Sequence, residues 1–264
     1  MRTAGPLMQA CLAAGVHYLD IAAELDSYRL AERYDHDAQT AGVMLLPGSG
    51  GSVAMLGCLA GHAAKRVTNP RKLSIALHVP GGFSRGSAVS ASENVTTETL
   101  HRVDGELVRR AADELREFDF GNGPVISFPV TLPELITIWR ATDIPNIETY
   151  VHVTDGAFSE GDLAAMPDGP TLGQREATRY HAAVEVTGED GTVVRSILDT
   201  VNGYTFTTLA AAEAARRVIG GETKAGFQTP AGCSATVSPK RSPTRPSSTA
   251  DRQPPPALLT ACRS

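Results

Sequence analysis

The apolar positions of the first 66 residues alternate between helical stripes and short, wholly apolar runs. Leu7, Met8, Cys11 and Leu12 recur at helical spacing between Pro6, tolerated in a first turn, and Gly15, a natural stop. His17-Tyr18-Leu19-Asp20-Ile21 reads as a compact strand. Residues 27–40 carry the charged, amphipathic pattern of a helix, capped by Asp26 or Ser27 and ended near Gly42. Val43-Met44-Leu45-Leu46 is apolar throughout, as strands buried on both faces of a parallel sheet are. It breaks at Pro47-Gly48-Ser49-Gly50-Gly51-Ser52, and residues 53–64 are again helical in composition. Helix, strand, helix, strand, helix with short connections predicts an α/β chain with a parallel, doubly wound sheet.

After about residue 69 the rhythm changes. Residues 73–79 predict a longer strand and residues 97–116 a helix. Residues 180–187 and 192–200 alternate branched and polar side chains around Gly188-Glu189-Asp190-Gly191, the pattern of a hairpin. Residues 204–219 predict an alanine-rich helix stopped by Gly220-Gly221. A division follows: residues 1–68 carry the parallel sheet, residues 69–232 form an α+β domain with an antiparallel sheet, and residues 233–264 form a tail. That tail, rich in Pro, Ser and Arg, lacks the periodic apolar residues that repay ordering entropy, so disorder is expected. The antiparallel sheet is an expected surface for pairing two copies into a homodimer.

A chain of 264 residues, 42% hydrophobic, can bury a substantial core. Its net charge of -5 offers no basic field for nucleic acid or anionic lipid, so neither is expected as a partner. No apolar run approaches the roughly 20 residues of a membrane span, and residues 1–15 lack a secretory signal. Cys11, Cys58, Cys233 and Cys262 show no CxxC spacing and read as reduced thiols, which points to the cytoplasm. Without secretion, the sequon Asn94-Val95-Thr96 is expected to be an ordinary surface loop.

Candidate chemistry gathers where strands end. Gly48, Ser49 and Gly50 could turn backbone amides toward an anion or a ribose, since α/β sheets bind ligands at the carboxyl ends of their strands. Asp20 and Glu24 follow the preceding strand and could hold a ribose or a substrate amine; the favoured alternative is that Asp20 caps a helix and Glu24 is solvated. Arg85, in Ser84-Arg85-Gly86-Ser87, is the best cation for a substrate carboxylate or cofactor phosphate, with a structural turn as its alternative. No metal set is expected. Tyr34-Asp35-His36-Asp37 places neighbours that cannot converge on a helix, and His17, His62, His78, His101, His152 and His181 lack ligand spacing.

The run from Ala10 to Ile21 with Glu24, then Ala41 to Gly48, Cys58-Leu59-Ala60, Ser84 to Ala88, Gly203-Tyr204 and Gly226 to Ala231 resemble, in order, the saccharopine-dehydrogenase-like oxidoreductases. Within that family they are most similar to the trans-acting enoyl reductase-like branch. The resemblance covers most of residues 1–232 and implies a Rossmann-type domain, a small-molecule substrate, NADP or NAD as cofactor, and hydride transfer to or from it. It also implies that the glycine-rich phosphate turn falls ahead of Met1, on the order of 60 residues earlier at about 30 per βαβ unit. The first domain is therefore expected to be a Rossmann remnant, and the nucleotide site incomplete. Where the family commonly has Gly-Phe-Asp and Pro-Ser-Asp, this chain has Gly50-Gly51-Ser52 and Met55-Leu56-Gly57. A non-catalytic binding or dimerisation module, or a non-functional gene fragment, are the alternatives, and no catalytic acid or base is assigned.

Overall fold

A computed structural model of the chain describes residues 3–82, 84–89, 99–154, 166–233 and 262–263. Helix α1 (Ala4–Ala14) ends on Gly15 in the left-handed region at φ 65°, whose amide turns back to the Leu12 carbonyl at 3.3 Å. Strand β1 follows as Tyr18–Leu19 alone. The predicted run to Ile21 stops short because Asp20 turns its carbonyl and carboxylate toward another loop, which leaves Ile21 58% exposed.

The single helix expected over 27–40 is two, α2 (Leu25–Arg33) and α3 (Asp35–Thr40), broken at Tyr34. Its cap is Glu24; Asp26 lies in the first turn. The break re-aims α3 so that the Asp35 carboxylate accepts the Phe227 amide at 2.7 Å and meets Arg140 at 2.8 Å. Strand β2 (Met44–Leu46) is buried at every position, as its apolar run requires, and α4 (Gly51–Ala64) follows.

Strand β3 (Pro70–Pro80) opens a mixed sheet of nine strands. The helix expected over 97–116, of which 97–98 lie outside the described residues, is from residue 99 on instead a hairpin, β4 (Leu100–Val103) and β5 (Glu106–Arg109), followed by the start of β6 (Arg116–Asp119). Asp104 and Gly105 take positive φ of 49° and 87°, the pair of left-handed residues a two-residue hairpin turn demands. β6 pairs with β7 (Pro124–Pro129), and α5 (Glu134–Thr142) leads to β8 (Asn146–Thr154), parallel to β3. α6 (Leu172–Ala177) starts on a capping box between Thr171 and Gln174. Then come β9 (Arg179–Gly188) and β10 (Val193–Val201), the expected antiparallel hairpin, and α7 (Gly203–Ile219).

Strand β11 (Gly226–Phe227), from the stretch read as the end of the second domain, pairs with β2, so the first sheet is parallel in the order β1-β2-β11. The short α8 (Pro230–Cys233) packs its Ala231 backbone against Gly57 and Gly61 of α4. Two cores result. The larger joins Leu56, Leu59 and Ala63 of α4 to Leu73, Ile75 and Leu77 of β3 and Ala182, Val184 and Val186 of β9; the smaller gathers Met8, Tyr28, Leu45, Val53 and Phe227. Of the tail, Cys233 at the end of α8 and Cys262–Arg263 beside β10 are described; the sequon at 94–96 lies outside the described residues. No helix among the described residues is long and apolar enough to cross a membrane.

Candidate functional site

Parallel pairing of Tyr18 with Leu45 and Leu19 with Leu46 brings the carboxyl ends of β1 and β2 side by side. Asp20 leaves one strand and Pro47-Gly48-Ser49-Gly50 leaves the other. Asp20 brackets that loop: its Oδ1 accepts the Gly48 amide at 2.8 Å and the Ala22 amide at 2.9 Å, and its carbonyl accepts the Ser49 amide and hydroxyl at 2.8 and 2.7 Å. Its Oδ2 takes the Tyr18 hydroxyl at 2.6 Å. Burial first, then this bond to Asp20, holds the Tyr18 phenol above its usual range.

Two glycines are required by what surrounds them. At Gly48, with φ 69°, a Cβ would stand 2.0 Å from the hydroxyl of buried Tyr28, which donates to the Ala22 carbonyl at 2.5 Å. At Gly50 a Cβ would lie 3.0 Å from the Thr207 methyl and 3.1 Å from Ile21. The loop is thus packed against the first turn of α7. That turn is set by Asn202, whose side chain accepts the Tyr204 amide at 3.0 Å and donates to Thr178 Oγ1 at 2.7 Å. Tyr204 extends to Ser84 at the start of the helical residues 85–89, where its hydroxyl oxygen accepts the Ser84 amide at 2.6 Å and lies 3.1 Å from Ser87 Oγ. Thr207 and Tyr204, one turn apart, join the glycine loop to Ser84 and Ser87.

The sequence-derived residues divide accordingly. Asp20, Gly48, Ser49 and Gly50 come together, but the Gly48 and Ser49 amides are spent on Asp20, and residues 48–50 are buried. Glu24 stands at the cap of α2, its carboxylate accepting the Ala23 amide at 3.1 Å. Arg85 lies near the group through Ser84, yet its guanidinium pairs with Asp168 at the surface. Tyr28, Tyr204 and Thr207 went unassigned in the sequence: a tyrosine or threonine inside a helical pattern gives no sign of what its hydroxyl meets. Uncommitted polar groups here are the first-turn amides of α4, which has no side-chain cap, and the half-buried Ser52.

The separated histidines produce one further grouping. His78, His152 and His181 sit in register on β3, β8 and β9, with ring centroids 5.1 and 5.6 Å apart. No group among the described residues has the arrangement to hold a metal. Cys11 and Cys58 form no disulfide.

No protein-family model and no curated protein matches the chain. Its fold is that of an α/β protein with a Rossmann-like parallel sheet. Among solved structures it is similar to apo saccharopine dehydrogenase (L-Glu forming) from Saccharomyces cerevisiae, with a TM-score of 0.52 and 10% identity over 86% of this chain and 77% of that one. A mutant meso-DAPDH with DAP from Clostridium tetani gives a TM-score of 0.40 and 16% identity, covering 90% and 77% of the two chains. The WlbA dehydrogenase from Thermus thermophilus, in complex with NAD and alpha-ketoglutarate, gives 0.35 and 12%, covering 91% and 71%. These likenesses are of fold, and only the first is strong enough to carry an argument.

Proposed function

We propose that this chain is an oxidoreductase-type protein of the saccharopine-dehydrogenase-like class whose described residues meet NAD or NADP at the nicotinamide end alone. The observation that carries the reading is the junction of Asp20 and the Gly48–Ser52 loop, at the carboxyl end of a parallel sheet, with the first turn of α7. The fold likeness to saccharopine dehydrogenase supports it. When bound, the cofactor supplies the hydride chemistry; the chain's part is to orient the ring and exclude water. In this reading Ser52 offers the hydroxyl that holds it, the Thr207 hydroxyl, which donates to the Gly203 carbonyl at 2.7 Å, can only accept, and Asp20 keeps the loop in position. Ser84, Arg85 and Tyr204 form the expected substrate side. The enoyl reductase-like branch is the finer form of this reading, supported by the order of its sequence motifs.

With the Gly48 and Ser49 amides already paired, NADH and NADPH should bind only in the millimolar range, about -4 kcal/mol. Saturation-transfer NMR on the whole chain should show stronger transfer to nicotinamide than to adenine protons. Dominant transfer to adenine would overturn the reading, and so would a dissociation constant below about 10 μM, on the order of -7 kcal/mol.

A second reading, a non-catalytic module that pairs two copies through the larger sheet, is favoured by Ile126 and Phe128, 51% and 53% exposed on one side of β7. Sedimentation equilibrium should find a dimer that Phe128→Asp weakens at least tenfold. A wild-type monomer at 100 μM, roughly the range of a weak association, would remove this reading.

A further inference from the structure

Helix α5 carries three buried side-chain oxygens that meet no hydrogen-bonding group outside their own residue among the described residues. They are both carboxyl oxygens of Glu134 and the hydroxyl of Thr137, on residues that are 0% exposed. Three positions apart, the two side chains share a helix face. The helix is wedged between the two cores: Leu135 and Ile138 belong to the larger, Ile136 to the smaller beside Tyr28, Val53 and Phe227. A charge here would have neither water nor counter-ion, and a buried acid so placed favours its neutral form.

The surrounding ionisable groups do not supply a partner. From α2, Tyr28 faces Glu134, and its phenol is raised well above the usual range, by burial first and then by the Glu134 charge. From β4, Arg102 gives its Nε to the Leu135 carbonyl at 2.8 Å and another nitrogen to the Gly105 carbonyl. Glu32, also on α2 and raised by its burial, is drawn down by Arg102 and Arg140. On α5 itself, Arg140 is held by Asp35 and by the Phe227 carbonyl. Within α4 the ionisable residues are Cys58 and His62, and on β8 Glu148 is tied to Lys72, Ser74 and Arg116. The described side chains of α8 add none. Burial lifts the Glu134 carboxyl from 4.5 to about 7, against a weaker pull from its own amide.

We propose that Glu134 is a proton-operated latch: as a neutral acid it lets α5 sit dry between the two cores, and on ionising it draws in water and loosens α5 against α2. The sign follows from linkage. The folded chain holds the proton more tightly than the unfolded one, so the stabilisation is complete below about pH 4.5 and is lost as pH rises through about 7. A gap from 4.5 to about 7 is a roughly 300-fold fall in the folding equilibrium, about 3 kcal/mol. Asp35 and Glu148, held below the usual carboxylate range, act in the opposite sense and at lower pH, so the comparison must be with a variant.

The test is urea unfolding of wild type and Glu134→Gln between about pH 4.5 and 8.5. The glutamine variant is expected to gain on wild type progressively and to level off near pH 8. Trp139, the only tryptophan and one turn further along α5, should red-shift in wild type over the same range and stay fixed in the variant. A stability difference independent of pH, or a Trp139 shift that survives the substitution, would overturn the latch. Should Glu134→Gln fail to fold, infrared difference spectra of wild type decide. Loss of a protonated-carboxyl band between pH 6 and 8.5 supports the proposal, and its absence refutes it.

Discussion

Phe227→Ala is expected to destabilise the chain by about 3–5 kcal/mol, the range for deleting a buried aromatic ring. Phe227 is fully buried in the smaller core and is half of β11, the strand that closes the parallel sheet on the β2 side. Its backbone is gripped on both sides, the amide by Asp35 at 2.7 Å and the carbonyl by Arg140 Nε at 2.8 Å, while the Arg140 guanidinium lies 4.7 Å over the ring. Removing the ring opens a cavity and also strips the guanidinium of its aromatic face, worth about 0.5–2 kcal/mol. Burial pushes the Asp35 carboxyl up, but the Phe227 amide and Arg140 more than offset it, leaving the group below its ordinary value. The clamp therefore persists at neutral pH and is lost only as pH falls through that depressed value. Urea unfolding at neutral pH measures the effect. A loss under about 1.5 kcal/mol, no larger than an average substitution, would mean that β11 does not hold the sheet together.

Long apolar or alternating runs were legible because one pattern dictates one burial. Residues 43–46 became a buried strand, 180–200 a hairpin and 204–219 a helix. Where local chemistry competed, the reading failed. The stretch 97–116 has charges at spacings that suit a helix, but Asp104-Gly105 decides for a turn, and Leu100 pairs across it with Arg109. The break at Tyr34 was invisible because the contact that α3 makes after it, Asp35 with the Phe227 amide, joins residues nearly two hundred apart.

The candidate site was half legible for the same reason. Asp20 and Gly48–Gly50 follow two adjacent strands, so the parallel rhythm placed them at one end of a sheet. That Asp20 would consume the loop's amides depends on its rotamer. Thr207 reaches the loop, and Tyr204 reaches Ser84 and Ser87, only because α7 returns from the other sheet, and the histidine row exists only by strand register. Glu134 reads in sequence as an ordinary acidic residue of a first helical turn. Its burial comes from packing two cores around one helix.

Gly48→Ala should cost about 3–4 kcal/mol, and most of that cost should depend on a single hydroxyl. The left-handed backbone at φ 69° penalises any Cβ by about 1–2 kcal/mol. The remainder is overpacking, typically about 1–3 kcal/mol, because the new methyl would meet the Tyr28 hydroxyl at 2.0 Å and Val53 at 3.0 Å. Tyr28 is fully buried, and its hydroxyl is anchored on the Ala22 carbonyl, so the ring has no cheap way to withdraw. Tyr28→Phe alone should lose about 1–3 kcal/mol by leaving that carbonyl unpaired. With the hydroxyl gone, the nearest contacts of the alanine methyl relax to 3.0 Å, at the ring carbon and at Val53. In the phenylalanine background Gly48→Ala should therefore cost only about 1–2 kcal/mol, close to backbone strain alone. A double-mutant cycle by urea unfolding should return a coupling near 2 kcal/mol. Costs that add to within about 0.5 kcal/mol, as for independent sites, would mean that something other than the Tyr28 hydroxyl makes glycine necessary at the head of this loop.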